Sequence, residues 1–207
     1  MARPRNQETR KRELVSVTSK LLVEHGQSGA RLVDIADAAG LTPAAVSYYY
    51  PDLSDLYADT YATAVDQYLT RRREHVRGIT DPVDQLRAFL SLGVPQPGSS
   101  SRQATVLLME LSALAIRHDR IAASGRRFEA EQLDLFEEVL EAGARSGTMQ
   151  LTAHARDIAR ALLAIEDGIA IPVVVGRLDS AEALRITLTT ATSLTGASAL
   201  ALSEAAM

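Results

Sequence analysis

The chain has 207 residues, 46% hydrophobic and 23% charged, with a formal net charge of −4, no Cys and no Trp. That length buries a core without staples and spans one to two domains, which excludes a disordered chain and a disulfide-built miniprotein. The absence of Cys also excludes a thiol nucleophile and Cys-ligated zinc, and points to a reducing, cytoplasmic setting. The polar start, Met1 to Glu8, has no apolar run behind its basic residues and does not read as a signal peptide. Charge is unevenly placed: residues 1–12 carry Arg3, Arg5, Arg10, Lys11 and Arg12 against Glu8, whereas residues 81–207 are net acidic. A basic leading end on an acidic body suits a nucleic-acid-binding head, and equally suits a solvated basic face.

Helical period runs almost throughout. From Thr9 to Glu24, Leu14, Val17, Leu21 and Leu22 form one apolar stripe, ended by His25-Gly26. A short helix follows over 32–39, with Leu32, Ile35, Ala36 and Ala39 inward, and Gly40 stops it. A third opens with Thr42 as N-cap and Pro43 at its first position, reaching Tyr49 before Pro51. Ser54 caps a long fourth helix to about Arg77, and Asp81-Pro82 opens a fifth to about Leu92. Residues 93–101, rich in Gly, Pro and Ser, read as a loop. Further helices are expected over 103–117, 119–144, 152–176 and 180–204, with Pro172 kinking or ending the eighth. The expected architecture is all-α with about nine helices.

The uncharged stretch from Ile186 to Ser203 is long enough to raise a membrane span, but eight of its 18 residues are Ser or Thr. Burial against protein is the better reading, and no membrane partner is expected.

The second and third helices carry the sharpest signal. Two short helices meeting steeply need a small residue at their contact, a Gly in the turn and an apolar plug after it; Ala36, Gly40 and Leu41 supply these. The outer face of the third helix would then present Thr42, Pro43, Ala44, Ser47 and Tyr48, with Tyr49 beside them and Val46 and Tyr50 inward. Such residues suit DNA: hydroxyls for base edges or phosphate, Pro43 and Ala44 for thymine methyls, Tyr48 for the sugar-phosphate chain.

With the pattern Ile35-Ala36, Ala39-Gly40-Leu41-Thr42, Tyr48-x-Tyr50-Pro51 and Leu56, residues 7–57 resemble the DNA-binding domain of the TetR family of transcriptional regulators. Three positions depart from that pattern. Ala44 stands where Gly is often found, Leu53 stands where a Lys commonly meets phosphate, and residues 42–50 contain no Arg, Lys, Asn or Gln to pair with a base edge. Arg31, at the head of the second helix, is the candidate substitute for the missing Lys, with Arg3, Arg5 and Arg10 near phosphates or a minor groove.

The resemblance implies a head over residues 1–53, an effector-binding and dimerisation body over 54–207, and a homodimer on a palindromic double-stranded operator. It also implies an unidentified small-molecule effector held in the body. Candidate lining residues are Tyr61, Tyr68, Phe89, Met109, Glu110, Ala113, Phe128 and Phe136, each also readable as core. Glu110 interrupts an apolar run and needs a partner, either Arg117 or Arg87, or a ligand. For the dimer interface the candidates are Ile158, Leu162, Ile165 and Ile169 on the eighth helix with Leu188, Ala191 and Thr195 on the ninth. The four His are scattered, and no spacing supports a metal, a cofactor or a catalytic dyad. A ligand-responsive repressor is the expected function. The alternative is a helical small-molecule or protein-binding module with weak or lost DNA binding.

Overall fold

The computed structural model describes residues 3–200, and the side chains from residue 7 onward. Nine α-helices and three short 3-10 turns make up the described chain, as expected of an all-α sequence. It divides into two compact units that do not follow chain order. One comprises residues up to Tyr68 with Gln103–Arg127; the other comprises Leu69–Arg102 with the residues from Phe128 onward. The expected boundary at residues 53 and 54 lies at the start of the fourth helix, within the first unit.

In the first unit, α1 (Arg3–His25) buries Leu14, Val15, Thr18 and Leu22, while Val17 and Leu21 are only half-buried. Its inward face is thus rotated slightly from the expected stripe. Helix α2 (Leu32–Ala38) turns into α3 (Pro43–Tyr49) through Gly40, whose φ of 65° lies in the left-handed region. No atom lies within 4 Å of where a Cβ at Gly40 would sit, so conformation and not space demands Gly here. The Leu41 N–H closes the corner on the Ala36 carbonyl at 2.9 Å, and Ala36 is fully buried at the contact.

Thr42 Oγ1 accepts from the Ala45 N–H at 3.2 Å, and Pro43 needs no partner in the first turn. Thr42→Ala is expected to cost about 1 kcal/mol, read as a fall in the denaturant midpoint at unchanged slope.

Helix α4 (Leu53–His75) begins one residue earlier than expected because Asp52, not Ser54, is the cap: its Oδ1 accepts from the Ser54 N–H at 2.9 Å. Leu14, Ile35, Val46, Tyr50 and Leu56 form the core beneath these helices. Helix α6 (Ser100–Ser112) starts three residues before the expected position and gives way to a 3-10 turn at Ala113–Ile116; α7 spans Asp119–Ser146.

In the second unit, α5 (Pro82–Gly93) is capped by Asp81, whose Oδ1 accepts from Val83 and Asp84. It packs with α7, α8 (Ala155–Val174) and α9 (Ser180–Thr195) around Leu86, Phe89, Leu90, Phe136, Leu140, Ile158, Leu162 and Leu188. Pro172 lies in the last turn of α8, so the helix continues two residues beyond it. Its carbonyl then accepts from Arg177 and Leu178, which closes the end. Helix α9 stops well short of residue 204, because Gly196 adopts a φ of 66° and caps it. Residues 201–204 of that expected helix lie outside the described residues.

Candidate nucleic-acid interface

Helix α3 presents Thr42, Pro43 and Ala44 in the open, with Tyr48 69% exposed. Ser47 and Tyr49 are half-buried, and Val46 and Tyr50 point into the core, as their period required. The rings of Tyr48 and Tyr49 meet edge to face at 5.2 Å. Gln7 Nε2 on α1 donates to the Tyr48 hydroxyl at 3.4 Å, which orients the ring while leaving the hydroxyl proton to a second acceptor.

The inner end of α3 is fixed to α4. Tyr50 donates to Asp59 Oδ2 at 2.9 Å, and Lys11 lies 4.9 Å from the centre of its ring. Burial and the bond to Asp59 push the Tyr50 hydroxyl far up, so it remains a donor. Arg120 reaches both Asp55 and Asp59. Leu53, at the position where the family commonly has Lys, packs against the apolar core under α2 and α3. Replacing a phosphate contact there thus adds apolar cover to the head.

Arg31 is 73% exposed at its side chain and is already engaged: Nε reaches Asp34 Oδ2 at 2.8 Å and Nη2 reaches Oδ1 at 3.2 Å. Arg10 pairs with Glu13 at 2.6 Å. The side chains of Arg3 and Arg5 lie outside the described residues.

The expected effector residues fall in both units. In the first unit Tyr61 is buried, Tyr68, Met109 and Glu110 are half-buried, and Ala113 is exposed. Glu110 meets neither Arg117 nor Arg87. Its Oε2 accepts from the Gln27 N–H at 3.4 Å and its carbonyl accepts from Gln27 Nε2 at 2.6 Å. Arg87 instead donates to the carbonyls of Ala199 and Leu200. A groove of about 660 Å³ in this unit runs between α1 and α4, and none of the eight candidates lines it. Glu8, Lys11, Arg12 and Lys20 line its α1 side, and Asp59 and Asp66 its α4 side.

In the second unit Phe128 is half-buried, and Phe89 and Phe136 are fully enclosed with ring centres 5.6 Å apart. The Arg72 guanidinium lies 5.6 and 4.9 Å from those ring centres. Its Nη2 donates to both Glu166 oxygens, at 2.6 and 2.8 Å, and to the Phe89 carbonyl at 3.1 Å, while Nη1 donates to Gln132 Oε1. Burial pushes the Glu166 carboxyl up, against the pull of Arg72. A Cβ on Gly93 would lie 2.3 Å from that carboxyl, so only Gly lets α5 approach it. This network was not among the expected sites. Its signal was present: Arg72 continues the stripe of Tyr61, Val65 and Leu69, and Glu166 that of Ala159, Leu162 and Leu163.

The expected dimer residues divide by burial. Ile158, Leu162, Leu188, Ala191 and Thr195 are at most 1% exposed, filling the protomer's own interior; Ile165 and Ile169 are half-buried. The outer face of α8 carries Asp157, Arg160, Ala164, Asp167, Gly168 and Ile171, with Val175 exposed just past its end. Among the described residues no cluster of His, Asp or Glu is placed to hold a metal ion, and no helix is long and apolar enough to cross a membrane.

The family model for the C-terminal domain of BetI-type transcriptional repressors, a TetR-type domain, matches residues 82–196, more than half of the chain. The chain belongs to that family. With the helix-turn-helix of α2 and α3, this makes it a TetR-family protein across both its parts. It is similar to a transcriptional regulator of Saccharomonospora viridis solved in complex with choline, with a TM-score of 0.84 at 18% identity, covering 91% of this chain and 98% of that one. A TetR transcription regulator of Haloarcula marismortui ATCC 43049 gives a TM-score of 0.77 at 25% identity, over 92% and 98% of the two chains. The probable acrEF/envCD operon repressor of Escherichia coli (strain K12) is 29% identical over 103 residues, 47% of this chain. The matched stretch spans 44% of that relative, less than half its length.

Proposed function

We propose that this TetR-family protein is a cytoplasmic, homodimeric repressor that binds a palindromic operator through α3 and is released by a small-molecule effector. The observation that carries the reading is the corner itself: Gly40 at positive φ, Ala36 at the contact, and an α3 whose Thr42, Pro43, Ala44 and Tyr48 stand clear of the protein. Its family supports a regulatory role and not a catalytic one. The two copies meet through the C-terminal half of the outer face of α8, at Ala164, Gly168 and Ile171 with Val175 just beyond, where small residues allow close approach, two large apolar side chains stand in solvent and Asp167 lies at the edge. With no bidentate base reader between Thr42 and Tyr50, sequence is read by hydroxyls, methyl contacts and DNA shape.

The similar regulator of Saccharomonospora viridis was solved with choline, which makes choline the first effector to test. The effector acts by favouring a dimer whose two α3 helices no longer match the operator.

Band shifts with duplexes from the DNA upstream of the protein's own coding sequence, at about 50 and about 200 mM salt, test the reading. A retarded band that weakens with salt and is lost in Tyr48→Ala is the expected result. If wild type retards no duplex at the lower salt, the chain is a binding module without an operator, a reading favoured by the missing base readers and by Leu53.

A further inference from the structure

Arg31 and Asp34 form a planar fork at the start of α2. Two side-chain bonds, at 2.8 and 3.2 Å, match the guanidinium edge to both carboxylate oxygens, and the Arg31 N–H adds a third to Oδ2 at 3.1 Å. The first helix of a helix-turn-helix is the one that crosses the sugar-phosphate chain when the second enters the groove. Arg31 stands 73% exposed at its head, and Leu53, half-buried against the core, offers no charge where the resemblance expects a Lys. A carboxylate and a phosphate oxygen pair compete for the same edge of one guanidinium, since both accept its parallel N–H bonds.

We propose that Asp34 is a built-in competitor for the phosphate contact of Arg31, holding the head's affinity for DNA below what its charge would give. The inference rests on the operator-binding reading above. To take a phosphate, Arg31 must leave Asp34, and the freed carboxylate then lies beside the same phosphate as a like charge. The fork does not dissolve by itself near neutral pH, because the Arg31 guanidinium holds the Asp34 carboxyl below the usual carboxylate range. Capping alone does not require the fork: a neutral Asn or Ser at position 34 can also accept the Arg31 N–H. Lowering one sequence-independent contact in this way leaves a larger share of the binding to α3.

The test is a double-mutant cycle on the full chain, with random-sequence duplex as the probe: wild type, Arg31→Ala, Asp34→Asn and the double variant, plus Asp34→Ser as a second neutral cap. Melting temperatures confirm that each is folded. Asp34→Asn and Asp34→Ser are expected to bind more tightly than wild type, and the gain shrinks about threefold between about 50 and about 200 mM salt, the dependence of one added phosphate contact. In the Arg31→Ala background only a small gain remains, from removing one negative charge. Equal gains in both backgrounds overturn the proposal alone, since Asp34 then acts by charge and not by holding Arg31. Absence of a gain in Asp34→Asn and Asp34→Ser overturns the proposal, whereas the operator reading stands or falls by the band shift with the upstream duplexes.

Discussion

Arg72→Met is expected to lower the stability of the folded chain by about 3–5 kcal/mol, the cost of stripping one partner from a buried ion pair. In a chain of this size that is a fall in Tm of roughly 6–20 °C, compared at one protein concentration because association also shifts Tm. The size follows from what remains. Glu166 is 4% exposed beneath α5, close against Gly93, and without Arg72 its carboxyl loses both of the charge-assisted bonds that offset its burial.

Burial already pushes that carboxyl up against the pull of Arg72, and losing the guanidinium pushes it further. The folded variant then holds a proton that the unfolded chain, with a carboxyl pKa of about 4.3, has released. Stability tied to that proton is fullest below the unfolded value and is lost as pH rises towards the folded one. The deficit relative to wild type therefore widens as pH rises above the unfolded carboxyl value. Arg72→Met with Glu166→Leu removes both charges and is expected to recover most of the loss, because the desolvation cost disappears along with the attraction. A single variant as stable as wild type at every pH would mean that the pair carries no net stability.

The head and the body were unequally legible in the sequence for a physical reason. At the corner of α2 and α3 each residue type has one local job: Gly40 supplies positive φ, Thr42 caps, Pro43 starts, and Val46 and Tyr50 point inward by helical period. Such demands are met within a few residues, so they can be read there. Arg72, Gln132, Phe89 and Glu166 are brought together from four helices, and Arg72 and Glu166 are 94 residues apart. Nothing local says that a charge on an apolar stripe has found its partner. Glu110 shows the same limit: its interruption of an apolar run was visible, but its partner, Gln27, lies 83 residues away and was not. Gly196 was misread because Ser and Thr continue the pattern on both sides, and only its φ reveals the stop.

Ile171→Glu is expected to convert the proposed dimer to monomers, weakening self-association about a thousandfold, and Gly168→Arg to act in the same direction. A two-fold interface carries each substitution twice, and a central apolar anchor contributes about 2 kcal/mol or more per copy. Ile171 is 51% exposed and Val175 58% exposed, and no atom lies within 4 Å of a Cβ built on Gly168, so this face has room for a partner helix and nothing in its own unit to cover it. Sequence period favours the other stripe of α8, through Ile158 and Leu162, because large apolar residues outweigh Ala and Gly in any hydropathy reading. Those side chains are spent inside the protomer. Leu162→Ala is accordingly expected to cost 2–5 kcal/mol of folding stability while the folded fraction keeps its dimeric mass. Sedimentation or light scattering at matched concentrations separates the two stripes. If Ile171→Glu stays dimeric while Leu162→Ala dissociates without loss of stability, the interface lies on the stripe that the sequence favoured.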